Sequence, residues 1–216
     1  MEKALACVAL LAVIPMSGAV AGGLTYTYVE GGFDRVDQSA ETLGAQDPSG
    51  AYLRGSYALT PSLFVFGSYA ERDDTSHHTV VLGSLDPFQT HTKMEQRATE
   101  AGLGVHAPMG ERLDFVGELT YFNIDRDITF TVDGGEATHL SWRDLDGTSA
   151  TVGLRGASER IEGWIKVGYR DSDDFRDHFI GALGAQYRFT GTWGVVAEWE
   201  ESNELRRYRV GLRASF

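Results

Sequence analysis

The chain has 216 residues, 31 of them acidic and 19 basic, for a net charge of −12, with 42% hydrophobic and 23% charged side chains. That length and composition suit a globular domain with a sizeable core and argue against wholesale disorder. The charge balance is the opposite of what phosphate neutralisation needs, so no nucleic-acid partner is expected, and the lone cysteine, Cys7, leaves no internal disulfide, zinc ribbon or cysteine nucleophile.

Taken from the N-terminus, Met1-Glu2-Lys3 precedes an apolar run from Ala4 to Ile14, then Pro15 and the small residues Ser17-Gly18-Ala19-Val20-Ala21. A basic start, a short apolar stretch and an A-x-A ending together predict a signal peptide over 1–21 that is cleaved off. The run is too short to cross a bilayer as a helix. The expected domain is therefore 22–216, which has no cysteine.

Beyond Ala21 the apolar period is two. It predicts strands over 24–33, 50–59, 63–70, 95–107, 113–125, 147–157, 161–170, 178–189, 193–200 and 205–216. In the first, Leu24, Tyr26 and Tyr28 share one parity and Val29 and Phe33 the other, which a bulge near Gly31-Gly32 would reconcile. The fifth alternates cleanly: Leu113, Phe115, Gly117, Leu119 and Tyr121 oppose Asp114, Val116, Glu118 and Thr120. The last does so too, with Tyr208, Val210, Leu212, Ala214 and Phe216 opposing arginines at 207, 209 and 213. Connections at 60–62, 108–112, 158–160 and 190–192 are short; those at 34–49, 71–94, 126–146, 171–177 and 201–204 are mostly longer. Ile128–Val132 and Thr138–Leu140 flank Asp133-Gly134-Gly135, a hairpin signal that extends the fifth and sixth strands outward. The fold class predicted is all-β: an up-and-down antiparallel transmembrane β-barrel of ten strands, with eight as the alternative count.

A soluble barrel would alternate as well, so orientation needs further signs. The apolar face is almost free of charge. The opposite face carries Arg54, Glu100, Glu118, Arg155, Glu162, Lys166, Arg170, Arg188, Glu198, Arg207, Arg209 and Arg213, a mixture suited to a hydrated or salt-bridged lumen. Apolar-face aromatics gather at two levels: Tyr69, Tyr121, Tyr169, Trp199 and Tyr208 near the long loops, and Tyr57, Tyr187, Phe189 and Phe216 near the short turns. Between the levels, Leu113 to Tyr121 rises roughly 20 Å at about 40° tilt, close to the apolar band of such barrels.

The terminal pattern Tyr208, Val210, Leu212, Ala214, Phe216, with Tyr28–Phe33 and Phe64–Tyr69, resembles the small bacterial outer-membrane β-barrel family, porin-like barrels of the OmpA/OmpX type. The resemblance covers 22–216. It implies an outer-membrane location, both termini in the periplasm, and assembly machinery that reads Phe216. It implies no catalytic residue.

The long connections, taken as 34–49, 71–94, 123–147, 171–178 and 200–206, carry a net −14, and the rest of 22–216 carries +2. Acidic loops would share divalent cations with lipopolysaccharide phosphates or remain as solvated surface. Asp171, Asp173, Asp174 and Asp177 lack the glycine and distal glutamate of an EF-hand. His77, His78, His91, His139 and His178 lie in or beside outer loops near Asp73, Asp74, Asp144 and Asp177, yet no Ser–His spacing fixes a nucleophile and its base. His106 faces inward as a satisfied lumen group. Lumen pairs such as Arg188 with Glu198 and Glu118 with Arg155, together with Trp164 and Phe122, would plug the barrel. No catalytic, cofactor or metal residue is assigned. The expected role is non-enzymatic: envelope structure, adhesion or surface interaction by a monomer embedded in outer-membrane lipid and lipopolysaccharide. A narrow porin-like channel and a surface hydrolase working from the loop-end rim are the alternatives.

Overall fold

The computed structural model describes residues 23–38, 47–80, 88–132, 135, 138–172, 175–202 and 205–216. The expected signal peptide lies outside the described residues. Ten strands are described: β1 (Tyr28–Gln38), β2 (Ser49–Ala58), β3 (Leu63–Val80), β4 (Phe88–Pro108), β5 (Leu113–Val132), β6 (Thr138–Ala157), β7 (Ile161–Ser172), β8 (Phe175–Arg188), β9 (Trp193–Ser202) and β10 (Leu205–Ser215). Each pairs antiparallel with its chain neighbour, and β1 closes on β10 through eleven register pairs, from Tyr28↔Ser215 to Gln38↔Leu205. The sheet is a closed barrel, so no backbone edge faces hydrocarbon.

The short connections are tight turns. Leu59 N–H donates to Leu63 O (2.8 Å), Met109 to Leu113 (2.8 Å), Ser158 to Ile161 (2.7 Å) and Phe189 to Trp193 (3.0 Å). In two of them a threonine hydroxyl accepts from the incoming strand: Thr60 from Leu63 N–H (3.0 Å) and Thr190 from Trp193 N–H (2.8 Å). These side chains offer the backbone the local partners that favour turns.

Two expectations about the elements are corrected. β1 starts at Tyr28 rather than residue 24, and its registers with β2 and β10 run without a shift past Gly31 and Gly32. No bulge is needed, because Leu24 and Tyr26 do not join the lipid face; they precede the strand and turn into the lumen. The described bulges lie elsewhere, between Ile124 and Arg126 and between Arg170 and Ser172. The second correction concerns the connection at 71–94. β3 continues to Val80 and β4 begins at Phe88, paired from Leu63↔Val105 to Val80↔Phe88. β4 in turn pairs with β5 up to Thr90↔Val132, and β5 with β6 up to Phe130↔Thr138. The expected hairpin of β5 and β6 is therefore the middle and one side of a four-stranded extension.

Side chains alternate as the period of two requires. Outward positions hold large exposed apolar groups, among them Ile165 (53% exposed), Leu183 (53%) and Val210 (55%). A continuous belt of this kind exceeds any patch a soluble monomer tolerates; in hydrocarbon it is the favoured face. Tyr69, Tyr121, Tyr169, Trp199 and Tyr208 all point outward at the loop end, and Tyr57, Tyr187 and Phe189 at the turn end, where Trp193 joins them. Phe216, expected in that set, is only half-buried, and the alternation ends at residues 213–215, all three buried.

Inward aromatics sit opposite glycines of the neighbouring strand: Phe64↔Gly104, Phe66↔Gly102, Phe122↔Gly147 and Trp164↔Gly184. A Cβ on Gly184 would lie 2.2 Å from the Trp164 ring, and one on Gly104 2.1 Å from the Phe64 ring. Glycine, 26 of the 216 residues, thus makes room at these positions for bulky rings on the inner wall.

Candidate functional site

The lumen is the first candidate site, and its chemistry is built by the inward positions. All twelve charges expected on that face do point inward. Two carboxylates that the sequence reading left out, Glu30 and Asp34, organise them. Asp34 is fully buried on β1. It accepts from Arg72 (2.9 and 3.1 Å), Arg207 (3.0 Å) and Arg209 (3.2 Å), which come from β3 and β10. Arg207 and Arg209 also reach Glu100, at 2.6 and 3.4 Å. Arg209 continues to Glu198 (3.1 Å), which accepts from Arg54 (2.9 Å) and from Trp164 Nε1–H (3.0 Å). Glu30 binds Arg213 (2.7 Å) and accepts from the Tyr52 hydroxyl (2.6 Å). The sequence places Asp34 in an acidic outer connection; the continuation of β1 to Gln38 turns it into the lumen instead.

The expected partner pairs are corrected. Glu198 binds Arg54 and Arg209, not Arg188; Glu118 binds Lys166 (2.8 Å), and Arg155 binds Glu162 (2.6 Å). Height decides this. Arg188 stands opposite Gly194, whereas Glu198 stands opposite Gly184, four residues or roughly 13 Å further along the strand.

At the turn end, residues 23–27 enter the barrel. Tyr26 packs on Phe64 and Val116 in a buried cluster, with Leu24, Ala58 and Phe66 around it. Its ring stacks on His106 at 3.9 Å, Arg155 lies 4.4 Å from its centroid, and its hydroxyl donates to Asp114 (2.9 Å). His106 Nδ1 lies 2.9 Å from the same Asp114 oxygen, so this histidine is a satisfied lumen group, as expected. Thr25 Oγ1 donates to Phe216 O (2.6 Å), tying the segment before β1 to the residue after β10 at this mouth.

The lumen is not filled evenly. A cavity of about 90 Å³ remains in the lumen, with Thr120, Ser149, Thr151 and Ala182 on the β5–β8 side and Arg54, Glu100, Glu198 and Arg209 on the other.

The second candidate site is the extension of β3–β6. His77 and His91 face each other across β3 and β4, with Nδ1 atoms 3.0 Å apart. His139 contacts Thr129 Oγ1 (3.2 Å). Asp74 accepts from the backbone N–H groups of Asp47 and Thr75. The side chains of His78, Asp144, Asp177 and His178, and residues 173–174, lie outside the described residues. Among the described residues the one close His–Asp contact is His106–Asp114, at the mouth opposite the rim where a surface hydrolase would work.

The family model for the outer membrane protein beta-barrel domain matches residues 4–210. Among solved structures, the translocator domain of the autotransporter NalP from Neisseria meningitidis is similar with a TM-score of 0.52 at 15% identity, covering 89% of each chain. Ail, the attachment invasion locus protein of Yersinia pestis, gives 0.43 at 14%, over 88% of this chain and 97% of its own. The KdgM porin gives 0.45 at 11%, over 88% and 99%. At these identities the likeness is one of fold. No curated protein matches the sequence.

Proposed function

Since this chain belongs to the outer membrane protein beta-barrel domain family, we propose that it is a non-enzymatic outer-membrane protein with a closed lumen. Its work is then done at the surface, in adhesion or another interaction, by the β3–β6 extension. The observation that carries this reading is the Asp34 cluster. Three guanidiniums converge on one fully buried carboxylate, and the Tyr26 cluster fills the mouth beneath. On this reading the paired, desolvated charges hold one arrangement and obstruct the lumen at their height. On the same reading residues 1–21 leave as a signal peptide and both ends of the mature chain face the periplasm. The loop carboxylates share divalent cations with lipopolysaccharide, Phe216 engages the assembly machinery, and the barrel acts as a monomer.

Planar-bilayer recording of the refolded protein tests the closed lumen. No steady conductance is expected; a stable single-channel current in the wild type sinks the reading. Removing Ile128–Leu140 is expected to abolish binding to cells or envelope components while leaving the barrel folded, and unchanged binding rejects the surface role. The lumen cavity favours one second reading, a narrow solute path through the lumen, and the same recording detects it.

A further inference from the structure

The outward face of the extension carries a feature that neither a closed lumen nor an adhesive surface requires. His77 of β3 and His91 of β4 are register partners, both exposed, with rings at 82° and centroids 4.2 Å apart. Their Nδ1 atoms are 3.0 Å apart. We propose that this pair is a two-histidine site for a late first-row divalent ion, copper or zinc, that clips β3 to β4 near the tip of the extension.

The distance supports the assignment. Imidazole nitrogens bind such ions at about 2.0–2.1 Å, so two cis ligands at 90–110° around one ion stand about 2.9–3.4 Å apart. The observed spacing lies in that range without any movement of the strands. The ligand type selects the ion: imidazole suits copper, zinc and nickel, whereas magnesium and calcium prefer oxygen donors. No proton has to leave. In the ion-free pair one ring donates its Nδ1–H to the other's Nδ1; on binding, that proton moves to Nε2, so both neutral rings offer an Nδ1 lone pair. The remaining coordination positions are open to water or to a donor from a bound partner.

The neighbours on that face are compatible. Thr75 and Lys93 form the pair below, Thr79 and Gln89 the pair above, and Thr131 stands beside His91. Lys93 is the charged group among them, and its ammonium is ion-paired with Glu95, which draws it away from the rings. The third described histidine of the extension, His139, is two strands away on Thr129. The place is also one where a clip matters. β2 pairs with β3 only as far as Ser49↔Asp73; just beyond it the Asp47 N–H donates to Asp74, and from there the strand pairing of β3 is, among the described residues, with β4.

The test uses the full chain refolded in detergent and stripped with EDTA, titrated calorimetrically with ZnCl2 and with CuCl2. One equivalent of ion is expected to bind, with copper tighter. His77→Ala and His91→Ala are each expected to weaken binding at least about tenfold, and His139→Ala to leave it unchanged. Both rings are exposed, so the variants keep the barrel. A readout that needs no variant is the imidazole NMR signals: those of His77 and His91 shift with ZnCl2 while that of His139 stays. Absence of binding by the wild type, equal binding by His77→Ala and His91→Ala, or shifts confined to other histidines each overturn the proposal.

Discussion

Asp34 is held by contacts from two other strands, and its value to the fold follows from what it neutralises. Removing it leaves the buried Arg72 with the neutral Gln96 as its remaining partner, and leaves Arg207 and Arg209 to Glu100 and Glu198 alone. Breaking a buried ion cluster from one side costs about 3–5 kcal/mol. Asp34→Ala is therefore expected to unfold at clearly lower urea than the wild type, measured by the loss of the compact band on unboiled gels; an unchanged midpoint contradicts the cluster. Gly184→Val acts on space instead of charge. Its side chain would enter the Trp164 ring, and overpacking of this kind costs about 1–3 kcal/mol. The ring has to leave Glu198, so reduced stability with a red-shifted tryptophan emission is the expected outcome. The inward charges on β2 and β4–β10 could be read from alternation alone. Glu30 and Asp34 could not, because Leu24 and Tyr26 imitate a lipid face on the wrong parity. Nor could the partners be read: Arg54 and Glu198 are 144 residues apart and meet across the lumen, at a height that only the registers define.

At the scale of the element, the outer half of β3–β6 departs most from the expected chain plan. The sequence there is rich in the β-former threonine, Thr75, Thr79, Thr90 and Thr92, but polar on both faces. A segment that leaves the bilayer needs no apolar side, so the period of two loses its contrast although the strand continues. β5 was readable further out because Ile128, Phe130 and Val132 keep the alternation. The pairing has a measurable consequence. Outer β4 and β5 are bonded on both sides, β3 beyond Asp73 on one. Amide hydrogen exchange is expected to be slowest over 90–94 and 126–131 and faster over 75–79. Equal rates across the three segments would show that the extension does not form as a sheet.

For the whole molecule, the mean hydropathy of −0.22 averages an apolar belt, a charged interior and polar surface strands, which explains why it gives no sign of a membrane. The belt itself predicts depth-dependent behaviour. Ile165 lies midway between the outward residues Ile161 and Tyr169, and arginine at the bilayer midplane costs about 2–4 kcal/mol. Ile165→Arg is expected to lower stability in lipid by that amount, whereas the same change at Ile161 costs less; equal penalties would place the belt wrongly. The contacts between β1 and β10 carry a further consequence for how the chain finds one structure. This is the joint that unites residues nearly the whole chain apart, and such contacts form late. The alternation of apolar and polar positions cannot detect a displacement of two residues there, since every side chain keeps its face. The charges can. Glu30 stands opposite Arg213 and Asp34 opposite Arg209, and a two-residue displacement either way sets Glu30 against Gly211 or Ser215. The acid–base ladder on the closing strands thus acts as an alignment key, recognising the one register in which the barrel seals.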